Sequence, residues 1–214
     1  MSVSDSVYQR IRRRLIASYY EPGTHLKEEV LAGEFEVSRT PVRTALQRLI
    51  SEGLLTPGEK RGALVTTWRR EHTTDIFSIR ILLEGYGAML SASNASHEQI
   101  QRLIRTCDEM EELYRTRPTD WIKRMDEGNL VIHKTLIEAS GSPYLAMSMR
   151  QLLEVPQVIG GFLIYDDADI EESLRQHREI ANAIAARSPH WARAAVECHL
   201  NAALVRFGKR MGEA

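Results

Sequence analysis

VLAGEFEVSRTPVRTALQRLISEGLL, residues 30 to 55, reads as two short helices joined by a tight turn. Ser38 stands where a helix N-cap belongs, its hydroxyl able to accept an orphan amide proton, and Pro41 falls in the first turn, where a missing N–H costs little. From there Val42, Ala45, Leu46, Leu49 and Ile50 recur at helical spacing and build one apolar face. Arg39, Thr40, Arg43 and Gln47 occupy the other face, with 39, 43 and 47 four apart and so stacked along one side of the helix. These groups suit a DNA major groove: guanidinium forks for guanine edges or phosphates, an amide for adenine, hydroxyls for the backbone. An amphipathic surface helix with a merely solvated outer face has the same pattern, so the meaning of this one rests on its surroundings.

Downstream, Glu52-Gly53 ends the helix, Gly being the usual residue just past a C-terminus. Leu54 to Thr56 and Ala63 to Thr67 read as short strands around the turn Pro57 to Gly62, a hairpin with Arg61 and Gly62 near its tip. A hairpin directly after a helix-turn-helix is a wing, its basic tip suited to the adjacent minor groove or phosphates and Gly62 suited to close backbone approach. Upstream, residues 6 to 19 form an amphipathic helix with Val7, Ile11, Leu15 and Ile16 inward and Arg10, Arg12, Arg13 and Arg14 largely toward solvent. That arginine cluster either lies along phosphates or is a solvated basic face. Glu21-Pro22-Gly23-Thr24 makes a turn before Leu26 and the first helix of the pair, Glu28 to Phe35.

The chain of 214 residues has room for one large or two small cores, and 43% hydrophobic with 27% charged residues is a soluble globular composition. A net charge of −1 hides an uneven split: residues 1 to 70 hold twelve Lys and Arg against eight Asp and Glu, leaving sixteen against twenty-one for the remainder. This suggests a basic module for a polyanion, residues 1 to 70, followed by an acidic one, 71 to 214, with Trp68 to Glu71 as the linker. No apolar run is long enough for a membrane span and no secretory signal opens the chain; Cys107 and Cys198 are too isolated for a disulfide framework. A cytoplasmic location is expected.

Residues 7 to 67 resemble the winged-helix domain of the GntR family of bacterial transcription regulators. The likeness is carried by Glu21-Pro22-Gly23, Leu31-Ala32, Val37-Ser38-Arg39-Thr40-Pro41-Val42-Arg43, Ala45-Leu46-x-Arg48-Leu49, Glu52-Gly53-Leu54 and Arg61-Gly62-Ala63, all in register. It implies that Arg39 and Arg43 are the main DNA contacts, assisted by Ser38, Thr40, Gln47, Arg61 and Gly62.

Beyond the linker the periodicity is helical throughout. Ile76, Ile79, Leu82, Leu83, Tyr86 and Leu90 mark one helix, and Ser96 with Gln99 forms a capping box for the next, to about Arg115. Pro118-Thr119-Asp120 opens a third that ends at Ser140-Gly141, and Pro143 a fourth, bent or broken by Pro156 and Gly160-Gly161. A fifth runs from Asp169 to about Ala186, and Ser188-Pro189 starts a sixth. The predicted architecture is mostly α: a winged helix-turn-helix followed by an antiparallel six-helix bundle.

Three of these helices carry histidines on inward faces. Asn129 and His133 are four apart and flanked by Leu130, Ile132 and Leu136; His177 lies between Leu174 and Ile180; His199 is bracketed by Val196, Leu200 and Ala203. Each alone reads as a satisfied core histidine, whereas three on facing helices suit a metal or ligand site in a bundle interior. This half, about residues 72 to 207, resembles the FCD effector-binding domain of the FadR-like branch of the GntR family. The matching stretches are Ile-Arg-x2-Leu-Glu at 79 to 84, Ile-His-Lys-x-Leu-Ile-Glu-Ala-Ser-Gly-Ser at 132 to 142, Gln-His-Arg-Glu-Ile-x-x-Ala-Ile at 176 to 184, and Ala-Ala-x3-His-Leu ending at Leu200.

That resemblance implies a divalent transition metal held by an Asp, a His four residues on and two further His. The histidines map onto His133, His177 and His199, while the carboxylate position holds Asn129. An amide oxygen can ligate but is neutral, so the site gives up one negative charge; Asp126, nearly one turn earlier, is an alternative carboxylate. Zinc is the first expectation from the imidazole-rich set, with nickel or manganese behind it; the metal-free alternative is a polar pocket that hydrogen-bonds an effector directly. The expected effector is a small carboxylate or sugar acid, with Arg80 either its charge partner or an ion-pair partner of Glu84. The functional expectation is a ligand-responsive transcription regulator, in the family's commoner mode a repressor, that binds a palindromic operator as a homodimer. The rivals are a metal-dependent hydrolytic enzyme built on the three histidines and a protein–protein adaptor that uses the winged helix for docking.

Overall fold

The computed structural model describes residues 2–16, 19–58, 61–66, 70–153 and 161–211, and the chain divides after Trp68 into two compact units. In the first, α1 (Val3–Ile16) begins earlier than its apolar periodicity indicates. The Ser2 hydroxyl accepts the Asp5 N–H while the Asp5 carboxylate accepts the Ser2 N–H, both at 3.1 Å, and this reciprocal cap extends the helix backward. Its expected last turn, at residues 17 and 18, lies outside the described residues. α2 (Glu28–Phe35) and α3 (Arg39–Ser51) form the helix-turn-helix. Between them Glu36 takes the left-handed conformation (φ 55°), which lets the Val37 N–H return to the Ala32 carbonyl at 3.0 Å.

Ser38 occupies the N-cap of α3 with extended backbone, but its side chain accepts no capping hydrogen bond. The sequence explains why: the third helical residue is Pro41, which has no N–H to give. The inward face of α3 is as expected, with Val42, Ala45, Leu46 and Leu49 all buried against Ile11, Leu31, Phe35 and Leu55 in one core. Each large apolar side chain buried there contributes about 1.5–3 kcal/mol.

The wing pairs β2 (Leu55–Pro57) with β3 (Ala63–Val65), antiparallel, with Thr56 opposite Leu64. A third strand absent from the sequence reading, β1 (His25–Leu26), joins the outer edge of β3 to give the order β1-β3-β2. Two residues have no alternation to detect; the strand exists because the Pro22-Gly23 turn returns the chain alongside Val65, whose N–H donates to the Thr24 carbonyl at 2.9 Å. Thr67 and the tip residues 59 and 60 lie outside the described residues.

The second unit holds six α-helices among the described residues: α4 (Arg70–Asn94), α5 (His97–Thr116), α6 (Trp121–Ala139), α7 (Pro143–Leu152), α8 (Asp167–Ala185) and α9 (Pro189–Met211). A 3-10 turn, Gly161–Ile164, precedes α8. The Ser96–Gln99 capping box of α5 is present in both directions. Two boundaries differ from expectation. Arg70 and Glu71, read as linker, already belong to α4, and α8 starts at Asp167 because Asp166 is its cap, accepting the Asp169 N–H at 2.8 Å. The expected break at Pro156 and Gly160 lies outside the described residues, though Gly161 itself opens the 3-10 turn with φ 46°. α4 packs against α6, α8 and α9, so the three helices that bear histidines share it as a common neighbour. No helix among the described residues is long and apolar enough to cross a membrane.

Candidate functional site

The outer face of α3 has the composition the sequence suggests: Ser38, Arg39, Thr40, Arg43 and Gln47 are all exposed, and so is Arg61 on the wing. Between α2, the start of α3 and the wing lies an open hollow of about 820 Å³ lined by His25, Lys27, Glu28, Glu29, Arg39 and Arg61, among others. Its charge is mixed. Arg39 Nη2 meets Glu29 Oε1 at 3.1 Å. Arg43 is held side-on, its Nε and Nη2 donating to the two Glu28 oxygens at 3.0 Å each, and this pairing pulls the Glu28 carboxyl below its ordinary range.

Gly62 has a packing role of its own within the wing. At φ 130° a Cβ there would overlap the Leu26 carbonyl oxygen, so the glycine is required by the packing of the wing onto β1. The α1 arginines also divide. Arg10 stacks on Phe35 at 4.2 Å, and Arg14 pairs with Glu34 at 2.5 Å and donates to the Tyr20 hydroxyl at 2.9 Å, so part of that cluster is engaged within the unit. Lys27, Glu28 and Glu29 escaped the sequence reading, since no periodicity links the first turn of α2 to a side chain fifteen residues on.

In the helical unit His133 on α6, His177 on α8 and His199 on α9 are buried together, with candidate ligand atoms within 4.8 Å of one another and ring centroids 4.3–5.7 Å apart. Burial, the dominant cause, keeps the His177 and His199 rings neutral by driving their pKa values well below the usual imidazole range. Two rings have one nitrogen engaged: His133 Nδ1 contacts Glu84 Oε2, and His199 Nδ1 meets Gln176 Oε1 at 3.3 Å. Those contacts leave Nε2 as the open nitrogen of each ring, the arrangement that orients imidazole ligands around a metal. Both nitrogens of His177 are buried without a partner. An imidazole so placed costs free energy unless something coordinates or hydrogen-bonds it.

Beside the cluster is a cavity of about 20 Å³, room for a single atom-sized guest, walled by Arg80, Asn129, His133 and His199 and closed by Phe77, Phe162, Tyr165 and Phe207. Asn129 therefore faces the same space as two of the histidines. Arg80 is almost fully buried and donates from Nε to Glu84 Oε1 at 2.7 Å, which is the ion-pair role of its two expected roles. Burial alone would push the Glu84 carboxyl up, but Arg80 and His133 together hold it down to about 2. Glu84 thus stays ionised between two partners, the buried Arg80 guanidinium that offsets its charge and the His133 ring.

Asp126 does not join the cluster. Among the described residues the converging His, Cys, Asp and Glu donors are the three histidines, and Asp126 Oδ1 instead accepts the Phe162 N–H at 2.9 Å, at the start of the 3-10 turn. Burial raises its carboxyl to about 7 from 3.8. Between those values the folded chain keeps a proton that the unfolded chain has released, so this group costs stability as pH rises from about 4 to 7, and the cost is complete above 7. Asp126→Asn keeps the acceptor for Phe162 and removes the charge. Its unfolding free energy from urea titrations is expected to gain on the wild type steadily between pH 5 and 7.5, ending about 2–4 kcal/mol ahead; a constant difference across that range would show that Asp126 titrates normally.

The donor set therefore fits a divalent transition metal: three buried imidazoles with open nitrogens, an amide oxygen on the same cavity, and a carboxylate in contact with one ring. Comparison with known proteins bears on both units. Residues 3–65 match the model of the bacterial regulatory proteins of the gntR family, and residues 75–202 match that of the FCD domain. An uncharacterized HTH-type transcriptional regulator of Bacillus subtilis, YdhC, is 26% identical over 91% of this chain and 86% of its own length. The gluconate operon transcriptional repressor of the same organism is 29% identical over 70% of this chain and 60% of its own. The structure of Escherichia coli McbR/YncC superimposes with a TM-score of 0.83 at 19% identity, covering 98% of this chain and 99% of that one, a likeness of fold.

Proposed function

Because this chain belongs to the gntR family of bacterial regulatory proteins and carries an FCD domain after its winged helix, we propose that it is a transcriptional repressor whose affinity for a palindromic operator is set by a small carboxylate or sugar acid bound beside a divalent metal. His133, His177, His199 and Asn129 hold the metal, zinc by preference and nickel or manganese as alternatives. When bound, the metal supplies a Lewis-acidic position for an effector oxygen. Arg80 and Asn129 line the space that an effector's polar end enters. A similarity to a repressor of a gluconate operon supports the sugar-acid class. An effector of that size exceeds a cavity of about 20 Å³ and binds by displacing the aromatic wall at Phe162 and Tyr165.

The observation that carries this reading is His177, buried in the cluster with two unpartnered nitrogens. The homodimer follows from the small number of base pairs one recognition helix reads. It is also supported by Ile79, Leu82 and Tyr86, which stand 43%, 68% and 53% exposed along α4 as an apolar stripe suited to a second copy. The hydrolytic-enzyme reading has no such support, since Glu84 and Asp126 are both occupied elsewhere and neither is placed to serve as a general base at the histidines.

A thermal-shift series of small carboxylates and sugar acids, with and without zinc, tests the reading on the full chain, followed by gel shifts on DNA upstream of the neighbouring genes. One acid class is expected to raise the melting temperature by several degrees only when zinc is present, and the same acid to release the DNA. No response to any acid, together with no effect of zinc, would overturn the reading.

A further inference from the structure

The two arginines at the front of α3 are held in different ways. Arg39 pairs with Glu29, Nη2 to Oε1 at 3.1 Å, and that glutamate is 75% exposed. Arg43 is clamped by both oxygens of Glu28, whose side chain is only 8% exposed at the floor of the open hollow, while the Arg43 side chain is 50% exposed. The clamp consumes the Nε–H and one Nη2–H. Both Nη1 hydrogens and the second Nη2–H remain, and one Nη1–H with that Nη2–H forms the end-on edge of the guanidinium plane. That edge is a two-donor fork of the kind that matches O6 and N7 of guanine, and it is fixed before DNA arrives.

A carboxylate in the floor of a DNA-binding face carries a cost, because it repels phosphates. Glu28 is therefore out of place in a surface evolved for affinity alone, and in place where orientation matters more than charge. We infer that Glu28 is the positioning residue that makes Arg43 a reader of guanine. This rests on the DNA-binding reading of the winged helix, and it assigns specificity to a residue outside the recognition helix. Glu28 sits at the first position of α2, where the helix N-terminus favours a carboxylate and helps to keep it charged.

The test uses the full-length chain and a library of random DNA duplexes, first to select sites with the wild type, then to titrate a selected duplex, the same duplex with each conserved guanine replaced, and a scrambled one. Wild type is expected to enrich a guanine at one fixed position in each half-site. Glu28→Gln, with the clamp reduced to a single neutral acceptor, is expected to lose on the order of tenfold or more in discrimination at that guanine. It should bind scrambled DNA as tightly as the wild type or more tightly, since a repelling charge has gone. Arg43→Lys in the Glu28→Gln background should cost no further discrimination, because the two residues act as one unit.

Full guanine preference in Glu28→Gln overturns the inference. So does an equal loss on selected and scrambled DNA, the mark of a merely structural role, with melting curves of the variants reporting on the fold. A wild type that enriches no sequence at all overturns the DNA-binding reading and this inference with it, an outcome distinct from enrichment that the variant shares.

Discussion

Arg43→Ala is expected to abolish sequence-specific DNA binding while both units stay folded. A bidentate contact to a guanine edge is worth about 1–3 kcal/mol, and in a twofold complex the loss occurs in both half-sites, so specific affinity should fall roughly 30-fold or more. Binding to scrambled DNA should fall far less, with a shallower dependence on salt, since one cation per subunit is gone. The stability cost is small for a definite reason. Glu28 loses its partner, but it lines an open hollow where water can take the place of the guanidinium, so the penalty is on the order of 1 kcal/mol, a few degrees of melting temperature. Gel shifts on a selected operator and on scrambled DNA, with melting curves alongside, check all three parts. Arg43→Ala with unchanged operator affinity would remove Arg43 from the interface.

Much of the architecture was legible because it follows from local rules. The apolar faces of α3 and of the bundle helices repeat at helical spacing, Ser96 and Gln99 form the capping box their types predict, and Gly53 ends α3 with φ 75°. The features that could not be read depend on partners distant in sequence or on an exception to a local rule. Ser38 looks like a capping residue, but Pro41 three positions later removes the amide it would cap. Gly62 carries a signature that suits a DNA-facing loop and a tight packing contact equally, and the packing contact emerges only from the position of the Leu26 carbonyl.

The helical unit follows the same division. Three histidines on inward faces were visible as a pattern, because inwardness is periodic. Which of them is satisfied was not visible, since that depends on Glu84, 49 residues before His133, and on Gln176, 23 before His199. Arg80 and Glu84 are one turn apart, so their pairing was foreseeable; the capture of His133 by the other Glu84 oxygen was not. Asp126 had the right spacing from Asn129 to be a ligand, yet Gly161 brings the Phe162 amide against its carboxylate first.

His177→Leu is expected to leave the metal-free protein as stable as the wild type, or more stable by about 1–2 kcal/mol, while abolishing its response to zinc. The first half follows from burial without partners. Each unsatisfied polar atom in an interior costs about 1–3 kcal/mol, and leucine fills a similar space without either nitrogen. A satisfied core histidine would give the opposite result, a clear loss. The second half follows from linkage: wild type stripped of metal should gain about 2.7 kcal/mol when zinc is present at a hundred times its dissociation constant, and a cluster that lacks one of its three imidazoles should gain little.

Asn129→Asp separates charge from geometry within the same set. It keeps an oxygen on the cavity and places a negative charge among three buried imidazoles, so it should retain zinc at chelator concentrations that strip the wild type. Elemental analysis after graded chelation, with urea midpoints for apo and zinc-loaded forms of the three proteins, reads both effects. If His177→Leu destabilises the apo protein and zinc still shifts its midpoint, the histidines are core residues and the site lies elsewhere. If Asn129→Asp holds zinc no better than the wild type, Glu84 already supplies through His133 the charge that the cluster needs.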